Sequence, residues 1–263
     1  MNENPASYSD PQPAAPHPGP ISIRLPSLTP SVVYSILGLT VLVYVIQLAT
    51  PNYLSSGVDL PTFFGAKYNY GIRAGELWRL ITPILLHDHN SILHIAFNMY
   101  ALYALGPGLE RRFGHARFLI VYLVAGFTGN VFSFLLSSGL SVGASTSIFG
   151  LLAAEGVFLY QNRKMFGNES KKAIGNVVAV AAINLFIGFA SNGYIDNWGH
   201  IGGLLGGLIF TWFGGPLWRV EGAYPLLRLV DKRAGRDVVI GLAVVMLIFN
   251  ALAIVGIFWP IVP

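Results

Sequence analysis

The chain is 263 residues long, 54% hydrophobic and only 11% charged, with a mean hydropathy of +0.59 and a formal net charge of +4. A soluble globular domain carries about 25% charged residues, so this balance excludes one and predicts an integral membrane protein. The chain has no cysteine, which removes disulfides and thiol catalysis, and its modest positive charge lies in loops, so nothing calls for a nucleic-acid partner.

Residues 1–30 hold eight of the 16 prolines and no apolar run. They cannot bury enough surface to offset chain entropy, and are expected to form a disordered cytoplasmic tail. No basic segment leads directly into an apolar run and a small-residue cleavage site, so no signal peptide is expected. Apolar stretches near 31–50, 91–109, 118–137 and 238–259 are long enough for a hydrocarbon core of about 30 Å. Shorter ones lie near 145–160, 173–190 and 199–214. Together they predict an all-α polytopic membrane bundle of seven helices. The loop 51–90 is long enough to be functional or partly structured. Its Trp78 and Arg79 suit an interfacial position, with the ring at headgroup depth and the guanidinium reaching water or phosphate. The small, uncharged loop 137–143 can dip below the surface only where protein or cavity water satisfies its backbone. Residues 216–237 read as a basic cytoplasmic linker before the last helix.

Placing the N-terminus inside puts every basic residue except Lys67, Arg73 and Arg79 on the cytoplasmic side, as the positive-inside rule asks. Alternation of seven helices then brings the starts of the fourth and sixth to the external side. Those two starts carry Ser145, in Gly143-Ala144-Ser145-Thr146-Ser147-Ile148-Phe149-Gly150, and His200, in Asn197-Trp198-Gly199-His200-Ile201-Gly202-Gly203.

A serine in a membrane helix is ordinarily packing material, and Ser145 alone proves nothing. An intramembrane histidine is costly and defaults to a functional hypothesis, against which stands a structural His200 bonded within the bundle. Gly203 and Gly207, at i and i+4, let another helix approach closely. Contact with the Ser145 helix would bring imidazole to hydroxyl, which a weak nucleophile needs. His94 and Asn98 share one face of the second helix. They could donate to an oxyanion beside the Ser145 N–H at its helix N-terminus, or simply bond neighbouring helices. Asp196 precedes the helix of His200 by one turn and lies outside its start, so the reading is a Ser-His dyad. His87, Asp88, His89 and His94 could be drawn as a metal cluster, but three sit in a loop and no HExxH pair occurs; no metal or cofactor is expected. Glu155, about 15 Å along the helix from Ser145, reads as a solvated or paired charge. Asn176 and Asn184 are expected to bond across helices.

Taken in order, Trp78-Arg79, His94-Ile95-Ala96-Phe97-Asn98, Glu110-Arg111-Arg112, Gly143-Ala144-Ser145 and His200-Ile201-Gly202-Gly203-Leu204-Leu205-Gly206-Gly207 resemble the rhomboid intramembrane serine proteases over roughly 31–215. The resemblance implies a six-helix catalytic core, with 238–263 supplying an added seventh transmembrane helix. It implies Ser145 as nucleophile, His200 as general base, His94 and Asn98 with the Ser145 N–H as the oxyanion hole, and Phe149 packed on the imidazole. Glu110 and Arg112 would be a charged pair bracing the first loop and the helix ends. It also implies that the fifth helix borders a lateral substrate route. Thr146 stands where a glycine is frequent, and Phe149 where some members have tyrosine, which bears on packing and substrate preference. The expected function is cleavage of peptide bonds in or near transmembrane segments of other membrane proteins, with the bilayer as partner. The expected location is a bacterial cytoplasmic membrane, with the site opening externally. A pseudoprotease that escorts membrane proteins is the non-enzymatic alternative, for which both Ser145 and His200 would be superfluous. A transporter would use His94, Glu155 and His200 as a proton path, but the chain lacks a clear internal repeat of broken helices.

Overall fold

The computed structural model describes residues 28–191, 193–223 and 226–262; the expected N-terminal tail lies outside them except for its last three residues. The long helices are α1 (Ser31–Ala49), α4 (Ile92–Phe113), α5 (His115–Leu136), α6 (Ser145–Gln161), α8 (Asn168–Ala190), α9 (Asn197–Gly214) and α10 (Gly235–Phe258), with short α2 (Leu60–Gly65), α3 (Asn69–Arg73) and α7 (Arg163–Phe166) between them. Helices are the form an apolar segment must take in lipid, because each satisfies its backbone internally. Among the described residues, α1, α4, α5, α8 and α10 are long and apolar enough to cross a membrane unaided. The other two long helices, α6 and α9, have 17 and 18 residues. At about 1.5 Å per residue they fall short of a full span, as their shorter apolar runs predict.

Three helices form the centre. Glycines on two faces of α9 let it meet α5 and α6 together: a Cβ on Gly202 or Gly206 would collide with the Thr128 segment of α5. One on Gly203 or Gly207 would collide with the carbonyl oxygens of Thr146 and Gly150 on α6. Helix α5 hands over from α4 through the single residue Gly114, whose φ of 79° is open to glycine. The remaining helices, α1, α4, α8 and α10, flank this core. Of these, α8 leaves Val178, Ile183, Phe186 and Phe189 exposed, and its far end is pinned where Asn197 donates to the Leu185 carbonyl at 2.9 Å.

Four features differ from the sequence reading. First, α8 starts at Asn168 rather than near 173, because its polar opening turn is helical although not apolar. Second, Asn184 donates to the Val180 carbonyl of its own helix at 2.8 Å and Asn176 is exposed, so neither serves as an interhelical bond. Third, the 216–237 segment contains a hairpin, β1 (Trp218–Glu221) antiparallel to β2 (Arg228–Asp231), with Trp218 opposite Asp231. It is held to the bundle by Asn162, which accepts from Trp218 N at 2.7 Å, and by the Arg117–Asp231 ion pair. Fourth, Arg79 is only 6% exposed. Its guanidinium donates to the Phe63 and Ala66 carbonyls, each at 2.9 Å, and pairs with Glu76. It therefore staples the first loop and does not reach toward lipid phosphate. Trp78 is 52% exposed, and its indole donates to the Phe64 carbonyl at 2.9 Å.

Candidate active site

Ser145 is the first residue of α6, preceded by Ala144 at its cap. Its N–H is one of those a helix start leaves without an intrahelical partner. The chain reaches it through Gly143, whose φ of 137° suits glycine and whose N–H donates to the Pro83 carbonyl at 2.9 Å. His200 sits in the first turn of α9. Asp196 caps that helix, accepting from Gly199 N at 3.0 Å, while its other carboxylate oxygen accepts from the Ser133 hydroxyl. The glycine contacts between α6 and α9 bring these two helix starts together, and Ser145 Oγ lies 2.9 Å from His200 Nε2. The Phe149 ring stacks on the imidazole at 4.2 Å with an interplanar angle of 11°. Among the described residues His200 Nδ1 has no hydrogen-bond partner, so the arrangement has two members.

His94 reaches the same place from α4. A Cβ on Gly143 would lie 2.9 Å from His94 Nε2 and 3.5 Å from Ser145 Oγ, so the missing side chain is what leaves room for the imidazole beside the serine. The Asp88 N–H donates to His94 Nδ1 at 3.4 Å; an accepting Nδ1 leaves the ring proton on Nε2, facing the serine. Asn98 is buried, but its amide donates to the His94 carbonyl at 2.8 Å, folded back onto its own helix.

Thr146 is buried against Gly129 and Gly199, whose missing side chains make room for it, which accounts for the departure from glycine noted above. Glu110 and Arg112 are not partners. Residues two apart on a helix point in different directions: Glu110 accepts from the N–H groups of Val32 and Val33 at 3.0 and 2.8 Å, capping α1. Arg112 forms a two-pronged pair with Glu155 at 2.8 and 2.6 Å. Both brace the end of the bundle away from Ser145, and neither touches the first loop.

The His87–His94 segment disperses its polar groups. His89 bonds Asp59 at 3.0 Å, Asp88 accepts from the Tyr194 hydroxyl at 3.1 Å, and the His87 ring meets His94 edge-on at 5.1 Å. Burial, then the neighbouring His94, push the His87 imidazole down to about 3, so it is neutral at physiological pH. The sequence reading did not single out Gln47, which is fully buried. Its amide ties the Asp59 and Thr62 side chains and the His87 carbonyl, the last at 2.7 Å, and so anchors α1 to the first loop. Nor did it single out Lys67. A side-chain amide within an apolar helix was the available signal for Gln47; a loop lysine gives none.

The fold and site together define a multi-pass helical membrane protein with a serine-histidine pair at the meeting point of two short internal helices. Residues 74–217, more than half of the chain, match the rhomboid domain, and the chain belongs to the rhomboid family. It is 45% identical over 179 residues to the rhomboid protease GluP of Bacillus subtilis (strain 168), covering 68% of this chain and 34% of that protein. It is 34% identical over 161 residues to the chloroplastic RHOMBOID-like protein 9 of Arabidopsis thaliana, covering 61% and 36%. Against the putative rhomboid protease YdcA of Bacillus subtilis it is 39% identical over 149 residues, covering 55% and 70%. The chain thus spans about a third of the length of the first two relatives.

Proposed function

We propose that this protein is an intramembrane serine endopeptidase that cleaves peptide bonds in or near the transmembrane segments of other membrane proteins. The observation that carries the reading is the 2.9 Å contact between Ser145 Oγ and His200 Nε2, made at two helix starts inside a membrane bundle. In this mechanism the Ser145 proton passes to His200 Nε2 as Oγ bonds to the scissile carbonyl carbon. The resulting oxyanion accepts from the Ser145 N–H, favoured by the α6 dipole, and from His94 Nε2–H. Collapse breaks the C–N bond, and the imidazolium gives its proton to the leaving amine. Water then hydrolyses the acyl-enzyme with His200 again as base. Phe149, stacked on the ring, limits its rotation. The exposed face of α8 supports lateral entry of a substrate helix along that side. The basic loops support a cytoplasmic N-terminus, a site opening to the external side and residence in a bacterial cytoplasmic membrane.

The test is hydrolysis of a single-span transmembrane reporter by purified protein, with Ser145→Ala and His200→Ala beside it. Each variant is expected to abolish turnover while remaining folded, because members of such a unit are non-additive. A fluorophosphonate should label Ser145, and chelators should leave the rate unchanged. Full activity in either variant, or labelling at Ser147 with Ser145 untouched, would overturn the assignment.

A further inference from the structure

Lys67 belongs to the first loop, yet its side chain is fully buried where the end of α5 turns into the loop leading to Ser145. Its ammonium donates to the carbonyls of Ser137 at 2.9 Å and Gly139 at 2.6 Å, to that of Ser133 at 3.5 Å, and to Asn69 Oδ1 at 3.2 Å. Asn69 Nδ2 donates to the same Ser137 carbonyl at 3.1 Å. The Lys67 backbone adds a two-way bridge to Ser141, with N···O distances of 3.0 and 3.1 Å.

Taking an ammonium out of water is expensive unless its donors are met. Here they are met by carbonyls at a helix C-terminus, where a cation is also favoured by the dipole. The fixed segment, 137–141, ends four residues before Ser145. The Ser133 hydroxyl also bonds Asp196, the cap of the helix that carries His200. One buried cation thus joins the backbone leading to one member of the pair and, through Ser133, the cap ahead of the other.

We propose that Lys67 is a positioning residue: its ammonium fixes the 137–143 loop, and thereby the direction of Ser145 Oγ toward His200 Nε2. This rests on the hydrolytic reading given above. Its consequences extend to pH. Burial pulls the Lys67 amine down to about 8, the opposing influence being Asp196; its partners from α3, α5 and the 137–143 loop, Asn69, Ser133, Ser137 and Gly139, are uncharged. Above that pH the amine loses a proton and one donor, the loop loosens, and turnover should fall. Stability should move the other way. Between about 8 and the ordinary 10.5 the unfolded chain binds more protons at this site than the folded one, so this group's contribution to stability rises with pH.

The experiment compares wild type, Lys67→Met and Lys67→Arg by kcat and KM on the reporter, fluorophosphonate labelling rate at Ser145, and Tm, from pH 6 to 10.5. Lys67→Met is expected to lower kcat and labelling rate together by tenfold or more, with KM within about twofold. Lys67→Arg should recover part of both and lack the wild type's fall above pH 8. The wild-type Tm relative to Lys67→Met should rise across the interval in which wild-type kcat falls. Wild-type kcat and labelling in Lys67→Met, or a loss that tracks Tm with no recovery in Lys67→Arg, would overturn the proposal. Should Lys67→Met not fold, an alkaline limb absent from wild type or retained by Lys67→Arg would do so. A wild type that neither cleaves nor labels overturns the hydrolytic reading instead.

Discussion

His94 and Asn98 stand one turn apart on α4, and the structure separates them. His94 Nδ1 is occupied by the Asp88 N–H, so Nε2 carries the proton toward the space shared with Ser145. The Asn98 amide is spent on a carbonyl of its own helix, and would have to break that bond to donate elsewhere. A preorganised donor contributes more than one that must reorganise. His94→Ala is therefore expected to lower kcat by about 100- to 1,000-fold, the range for loss of one oxyanion donor, and Asn98→Ala by a clearly smaller factor, each with little change in KM. Equal losses, measured beside unchanged Tm, would place both on the oxyanion. The sequence could put these residues on one helical face because spacing fixes faces; it could not reveal the back-bond of Asn98, which depends on a rotamer. His200 was legible for a different reason, and Ser145 only beside it. An ionisable group inside an apolar run is conspicuous, whereas Arg79 and Lys67 lie in a polar loop, where burial leaves no mark on composition.

At the level of elements, the contact between Ser145 and His200 is a product of glycine. Helix α9 carries two parallel i, i+4 pairs, Gly202 and Gly206 toward α5, and Gly203 and Gly207 toward α6. The close approach of small residues is what packs helices in lipid, where no hydrophobic force drives them together. Adding a methyl at Gly203 drives it into the Thr146 carbonyl, a backbone atom that cannot rotate away. Gly203→Ala and Gly207→Ala should each destabilise the fold by more than the roughly 1–3 kcal/mol common for overpacking, read as a lower Tm, and should depress turnover by widening the gap between Oγ and Nε2. Gly38→Ala and Gly175→Ala, where a Cβ meets nothing within 4 Å, should be neutral or stabilise by about 0.5–1 kcal/mol through helix propensity. Matching Tm values across the four variants would contradict this account. The pair facing α6 was readable from its spacing. The second face was not, since its meaning depends on α5 being on the other side. The hairpin between α9 and α10 escaped for a related reason: its strands have four residues each, too short for alternation to register, and they are anchored by Asn162 and Arg117 from distant helices.

For the whole molecule, orientation rests on charge, and the structure sharpens that argument. Counted by sequence, Lys67, Arg73 and Arg79 weaken the bias because, among the described residues, they lie at the end of the bundle opposite the other basic residues. Yet Lys67 and Arg79 are buried on carbonyls. Arg73 lies over the Phe134 ring and donates to the Val262 carbonyl. Cations whose donors are engaged within the fold are not free on the surface, so among the described residues the exposed positive charge is more one-sided than the sequence suggests. The first loop is bonded directly to the approach to Ser145, through Lys67 with Ser141 and through Pro83 with Gly143. The side of the membrane that holds this loop therefore holds the mouth of the site. Because the chain has no cysteine, a single introduced one is a clean reporter. Leu54→Cys replaces a loop residue that is 75% exposed, and Arg228→Cys one in the hairpin whose side chain is 75% exposed. In right-side-out vesicles, a membrane-impermeant maleimide should label the first variant at once and the second only after the bilayer is permeabilised. The reverse pattern would turn the molecule over, moving the mouth of the site to the cytoplasmic side and leaving the basic loops in conflict with the rule that orients most helical membrane proteins.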